Sequence, residues 1–153
     1  MRTPVTVLVL VAGCVLGASA QTAKDALELT RQAAETQRRF LVGGALPMTD
    51  AESRAFWPLF DDYEKARRAL DERANRSVAE FLAAGADLSD AQAGALLGEW
   101  LKVEGERAQL RRRFAARMGK ALPARKLLRF FQIDNKLDAV VQADVTRQIP
   151  LAP

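Results

Sequence analysis

From Asp50 onward, apolar positions recur every three or four residues in three long blocks. The first block carries Phe56, Phe60, Tyr63, Leu70, Ala74, Val78 and Phe81, with Trp57 and Leu59 widening the face near its start. That spacing puts these side chains on one side of an α-helix. Met48-Thr49-Asp50-Ala51-Glu52 places Thr49 at the N-cap and Glu52 three residues on, so each satisfies an amide that the helix start leaves bare. The helix is predicted to run to Ala84 and stop at Gly85, with a kink at Pro58, which removes the bond to Arg54. The second block repeats the start signal in Leu88-Ser89-Asp90-Ala91-Gln92, with Ser89 as cap and Gln92 as its partner. Its stripe, Leu96, Trp100, Val103, Leu110, Phe114 and Met118, runs to about Lys120 with near-heptad spacing, which suits antiparallel packing. The third block follows the tight turn Gly119-Lys120-Ala121-Leu122, with Pro123 at or near the first helical position. Leu127, Phe130, Phe131, Leu137, Val141 and Val145 make its stripe, and Ile133 and Val140 widen it. It fades near Gln148, and the apolar Ile149-Pro150-Leu151 either packs back or is presented to a partner.

Upstream, Ala23 to Leu41 reads as a marginal helix ended by Gly43-Gly44 and set apart by Pro47. No alternating strand pattern occurs. The expected fold is all-α, an elongated bundle of long antiparallel helices arranged as helical hairpins. At 1.5 Å per residue the Asp50–Ala84 helix would span roughly 50 Å, so the body is thin. Thin helical bodies often dimerise or leave a concave apolar surface open, which leaves homodimerisation as an option.

The first twenty residues have a different character. Arg2 precedes an apolar run from Val5 to Leu16, and Ala18-Ser19-Ala20 is a small-x-small cleavage pattern. A run of about 12 apolar residues is too short to span a bilayer, and the arrangement reads as an export signal. The expected organisation is a signal peptide at 1–20, an N-terminal helix at 21–46 and a helical domain at 47–153, in the bacterial periplasm. Val11-Ala12-Gly13-Cys14 also resembles a lipobox, so a membrane-anchored lipoprotein acylated at Cys14 is the alternative. Cys14 is the single cysteine, and no disulfide framework exists. The formal charge of the 153-residue chain is +4, and cleavage after Ala20 leaves about +3. Export argues against a nucleic-acid partner; anionic membrane surface or envelope polypeptides are within reach.

Four charges sit inside the apolar stripes. With Leu127 at 0° and about 100° per residue, Asp134 falls near 340° and Asp138 near 20°, in the centre of the third stripe. Arg67 lies between Tyr63 and Leu70, and Arg107 between Val103 and Leu110. Folding each hairpin at its turn, near residues 86 and 121, brings Arg67, Arg107, Asp134 and Asp138 into one layer. Buried charge is tolerated only when paired, so this layer is expected to act as a register device in which arginines bridge the aspartates. A carboxylate active site is the remote alternative.

Other chemistry is scarce. The chain has no histidine, no Gly-rich phosphate loop, no nucleophile elbow and no zinc-ligand spacing. No enzyme, metal or cofactor is expected. Arg111, Arg112, Arg113, Arg117 and Lys120 form the densest basic patch, either a solvated helix face or a site for anionic polypeptide or lipid. The aromatics of Phe56 to Tyr63 and Phe130-Phe131 are expected mainly to fill the core, with an exposed client surface as the alternative.

"LSDAQ" at Leu88 to Gln92 resembles the L-T-x-x-Q motif of the Spy/CpxP group of periplasmic helical proteins, and "MTDAE" at Met48 to Glu52 is a looser version. "FWPLFDDY", "LPARK" and "RFFQIDNKLDAV" resemble more closely a set of uncharacterised exported bacterial helical proteins, over most of residues 47–151. The first resemblance implies an ATP-independent chaperone or an adaptor of an envelope-stress sensor, with unfolded or specific envelope polypeptides as partners. Some members of that group bind metals through histidines, which this chain lacks. A structural or membrane-associated envelope protein is the rival expectation.

Overall fold

The computed structural model describes residues 36–153, except for the side chains of Asp144, Val145 and Gln148. The expected signal peptide, Cys14, most of the N-terminal helix and the packing of Val145 therefore lie outside the described residues. The chain divides into two units between Leu41 and Val42. Residues 36–41 of the first unit are helical, and the second unit, Val42–Pro153, holds the bundle.

The described residues form four helices and no strand, an all-α bundle. They are α1 (36–45), α2 (Asp50–Ala84), α3 (Asp90–Met118) and α4 (Ala124–Gln148), with a 3₁₀ turn at Gly85–Asp87. Both capping boxes form. The Thr49 side chain accepts from the Glu52 amide and Glu52 accepts from the Thr49 amide; Ser89 and Gln92 repeat the exchange. Gly85, with φ of 53°, ends α2 in a conformation that a side chain would oppose.

α2 and α3 form an antiparallel hairpin laced by ion pairs between Asp62–Arg73 of α2 and Glu99–Arg117 of α3. Asp62 pairs with Arg117, Asp71 with Arg107, and Arg73 with both Glu106 and Glu99. α4 turns back along α3 and runs parallel to α2, so Lys126 meets Glu52 and Phe130 meets Phe56. The core concentrates where all three helices converge. Phe56, Phe60, Tyr63, Phe114 and Phe130 are buried there, with Val42, Leu46, Met118 and Leu122 closing the end. Phe130 meets Phe56, Phe60 and Tyr63 edge to face, and Tyr63 meets Phe114 likewise, at centroid separations of 5.3 to 6.1 Å, the favoured aromatic geometry.

Two sequence expectations change. The helix before Pro47 passes through Gly43 and Gly44 and continues to Ala45. Val42 and Leu46 are anchored in the core, Leu46 N–H bonds to Val42 O at 2.9 Å, and the Trp57 ring packs against Gly43. Tertiary packing here overrides the poor propensity of two glycines. Pro123, expected at or near the first helical position, is the N-cap of α4 with an extended ψ of 150°. The stripes also do not stay buried along their length. Trp100 is 56% exposed and Val141 57%, because α4 and the distal hairpin leave a groove between them.

Candidate functional site

The in-stripe charges lie side by side but with different partners from those expected. Asp134 is 1% exposed and accepts a 2.7 Å hydrogen bond from the Tyr63 hydroxyl. Arg111, read from sequence as part of the basic patch, reaches Asp138 at 2.8 Å. Arg107 bonds Asp71 at 2.9 Å and Glu104 at 2.6 Å. Arg67 bonds Asp71 at 2.7 Å and Glu64 at 2.9 Å. Asp71 thus joins the two arginines across the α2–α3 hairpin, a role the sequence reading missed because Asp71 lies at the edge of its stripe. Spacing held the signal: Asp71 is four residues after Arg67, one helical turn away.

The expected layer slipped by one turn. The ion pairs Asp62–Arg117, Asp71–Arg107 and Arg73–Glu106 are centred near Ser89, not near residue 86 or 87 as expected, because the 3₁₀ turn and the extended Leu88 add residues on the α2 side. The α3–α4 pairing is centred on Ala124–Arg125 because Pro123 is an extended cap. Arg107 therefore meets Asp71 where Arg67 was expected, and Arg111 takes the carboxylate expected for Arg107.

The electrostatics follow from burial and these contacts. Burial pushes the Tyr63 hydroxyl well above its ordinary range, and the Asp134 charge adds to the shift, so Tyr63 is a neutral donor. Burial opposes charge on Arg67, but the Glu64 hydrogen bond and the Glu64 and Asp71 charges outweigh it and raise its pKa. Glu52 is held below its ordinary range, first by the hydrogen bond from Lys126 and then by the Thr49 amide. One carboxylate thereby caps α2 and ties it to α4.

Beyond this layer lies a groove of about 820 Å³ between the distal α2–α3 hairpin and the C-terminal half of α4. Its apolar walls include Val78, Phe81, Leu96, Trp100 and Val141. Its charged lining balances, Arg67, Arg107 and Arg111 against Asp71, Glu104 and Asp138, and these six are ion-paired with one another. The groove therefore presents hydrophobic surface over charges already neutralised.

The basic patch divides. Arg111 is tied to Asp138, while Arg117 bonds Asp62 at 2.9 Å and stacks on Phe114 with its guanidinium carbon 4.7 Å from the ring centre. Arg112, Arg113 and Lys120 are exposed. Among the described residues no cluster of three or more His, Cys, Asp or Glu could hold a metal ion, and no helix is long and apolar enough to cross a membrane.

No family model matches the chain, and neither a curated protein nor a solved structure does.

Proposed function

We propose that this is a non-enzymatic protein of the bacterial envelope that binds apolar segments of other polypeptides, as an ATP-independent chaperone or stress adaptor does. The groove carries the reading. Trp100, more than half exposed, and Val141 face a cavity whose charges are internally paired. A site with apolar walls and no free charge favours uncharged hydrophobic side chains over anionic lipid headgroups or charged metabolites. Exposed Arg112, Arg113 and Lys120 add a long-range attraction for acidic clients. The leader-like start and the "LSDAQ" resemblance support the periplasm as the place of action.

The test is suppression of aggregation of a chemically denatured test protein without ATP, at substoichiometric and equimolar ratios. Suppression is expected, and Trp100→Ala with Val141→Ser should weaken it while the thermal transition is retained. Absence of suppression at both low and high salt overturns the general chaperone reading. Binding of anionic vesicles with no effect on unfolded clients would favour the membrane-associated alternative.

A further inference from the structure

α4 stops before the α2–α3 hairpin does, and its pairings fix the level at which it stops. Asp138 meets Arg111 on the antiparallel α3, so Ile149 falls level with Trp100. Asp134 meets Tyr63 on the parallel α2, so Ile149 also falls level with Val78. Ile149, Trp100 and Val78 all line the groove, as both registers require. Past that level the hairpin continues without α4, and from Asp71 to Lys102 it holds no buried residue. Phe81 and Leu96 carry the apolar lining of the groove into this uncovered stretch. The chain that follows α4 is Ile149-Pro150-Leu151-Ala152-Pro153, apolar and without charge. Pro150 has no amide to donate and disfavours helix at the residue before it. Ile149 accordingly takes an extended ψ of 117°, and the chain leaves α4 at the groove wall. Leu151 is 94% exposed, an apolar side chain in water beside an apolar groove.

We infer that Ile149–Pro153 is a strap that closes over the distal end of the groove, seating Leu151 between Phe81 and Leu96, and that clients bind by displacing it. The reach fits. At about 3.3 Å per extended residue, Leu151 lies roughly 7 Å past Ile149, the rise of about four helical residues. Four residues on from Trp100 is Leu96, and four on from Val78 is Leu82, beside Phe81. The two registers therefore bring Leu151 to the same apolar level independently. The chemistry fits as well. The charges lining the groove are paired with one another, so an uncharged segment enters without stripping water from an unpaired ion. Two prolines in five residues hold the segment near its extended form, so little freedom is lost on seating it. A short tether supplies an effective concentration on the order of millimolar, so a contact too weak to hold a separate peptide still fills the site. The strap is thus a resident stand-in for a client, and it sets a threshold that only strongly apolar segments pass. The competition rests on the reading of the groove as a polypeptide site; the closure does not.

Leu151→Asp opens the strap without touching the core, since Leu151 is 94% exposed. In the protein purified from the envelope of expressing cells, this variant should keep its thermal transition and show stronger acrylamide quenching of tryptophan emission. The chain has two tryptophans, and in a Trp100→Phe background, where Trp57 alone emits, the increase should vanish. Binding of Nile red, an uncharged apolar dye, should tighten about threefold in Leu151→Asp, the factor for a groove closed roughly two-thirds of the time. With Cys14 replaced by Ser, Leu96→Cys and Leu151→Cys together should oxidise to an intramolecular disulfide. Leu128→Cys with Leu151→Cys should not, because Leu128 is exposed towards the other end of α4. Unchanged quenching, unchanged Nile red binding or an absent cross-link each overturns the closure, whatever an aggregation assay gives. Suppression of aggregation should be stronger in Leu151→Asp than in the parent, and equal suppression by the two overturns the competition. If neither suppresses aggregation while the cross-link and quenching change hold, the chaperone reading fails and the closure stands.

Discussion

The Tyr63 hydroxyl donates to Asp134 Oδ2 at 2.7 Å, joining the middle of α2 to α4 where both residues are almost wholly buried. A buried carboxylate needs donors, and a buried hydroxyl needs an acceptor, so each is costly to leave alone. Tyr63→Phe should cost about 1.5–3 kcal/mol, the range for a hydrogen bond to a charged group. Asp134→Leu should cost on the order of 3 kcal/mol, because it strands the hydroxyl and withdraws a negative charge from beside Arg111. The double variant should cost clearly less than the two together, since it leaves no orphan at this bond. Urea unfolding of the three variants measures the cycle, and simple additivity would remove the coupling.

The same bond makes a pH prediction with a clean optical signal, since Tyr63 is the single tyrosine. Burial, then the Asp134 charge, raises its folded pKa above the ordinary value near 10. The folded state therefore retains a proton that the unfolded chain has lost. Stability from this group is fully present below about pH 10 and is lost as pH rises through the folded pKa. Tyrosinate absorbance should appear only together with loss of the helical signal. A tyrosinate transition near pH 10 with the helices intact would show that the hydroxyl is not shielded.

Much of this bundle is legible before any coordinates. The two capping boxes, the stop at Gly85 and the stripe from Phe56 to Leu70 are local signals, set by residues within a turn of one another. The identity of ion-pair partners is not local. It depends on where each hairpin folds, and the two or three residues taken up by the Gly85–Asp87 turn and the Pro123 cap shift a neighbour by a full helical turn. That is why Asp134, central in its stripe, reads correctly as buried, while Arg107 reads as the partner of the wrong helix. The groove is illegible for a related reason. Trp100 and Val141 continue a perfect apolar period, and only the spacing of three helices decides whether that period meets a neighbour or solvent.

Asp71 tests whether the bridge between Arg67 and Arg107 matters to stability. Each arginine keeps a second carboxylate, Glu64 or Glu104, and Asp71 is one-third exposed. Solvent screening and these remaining partners limit the loss, so Asp71→Ala should cost about 1 kcal/mol or less. The effect should shrink further in high salt. Chemical denaturation at two ionic strengths checks this. A loss comparable to that of Asp134→Leu would mean that the groove wall behaves as buried interior.

The last prediction concerns the helix that passes through two glycines. Gly44 has no positive φ, lies within the helix that ends at Ala45, and would offer open space to a methyl group. Alanine in a helix interior restricts the unfolded chain and favours the helical state, by about 0.5–1 kcal/mol over glycine. Gly44→Ala should therefore stabilise the protein by that amount. Gly43→Ala should gain less, because its methyl would sit 3.5 Å from the Trp57 ring, in contact and with little freedom. If the chain instead broke at Gly43-Gly44 in a left-handed cap, both substitutions would destabilise it, since alanine resists that conformation. Thermal denaturation of the two variants distinguishes the cases by sign: a rise in Tm at Gly44 fits a helix held through the glycines by Val42 and Leu46, and a fall fits a chain that stops there.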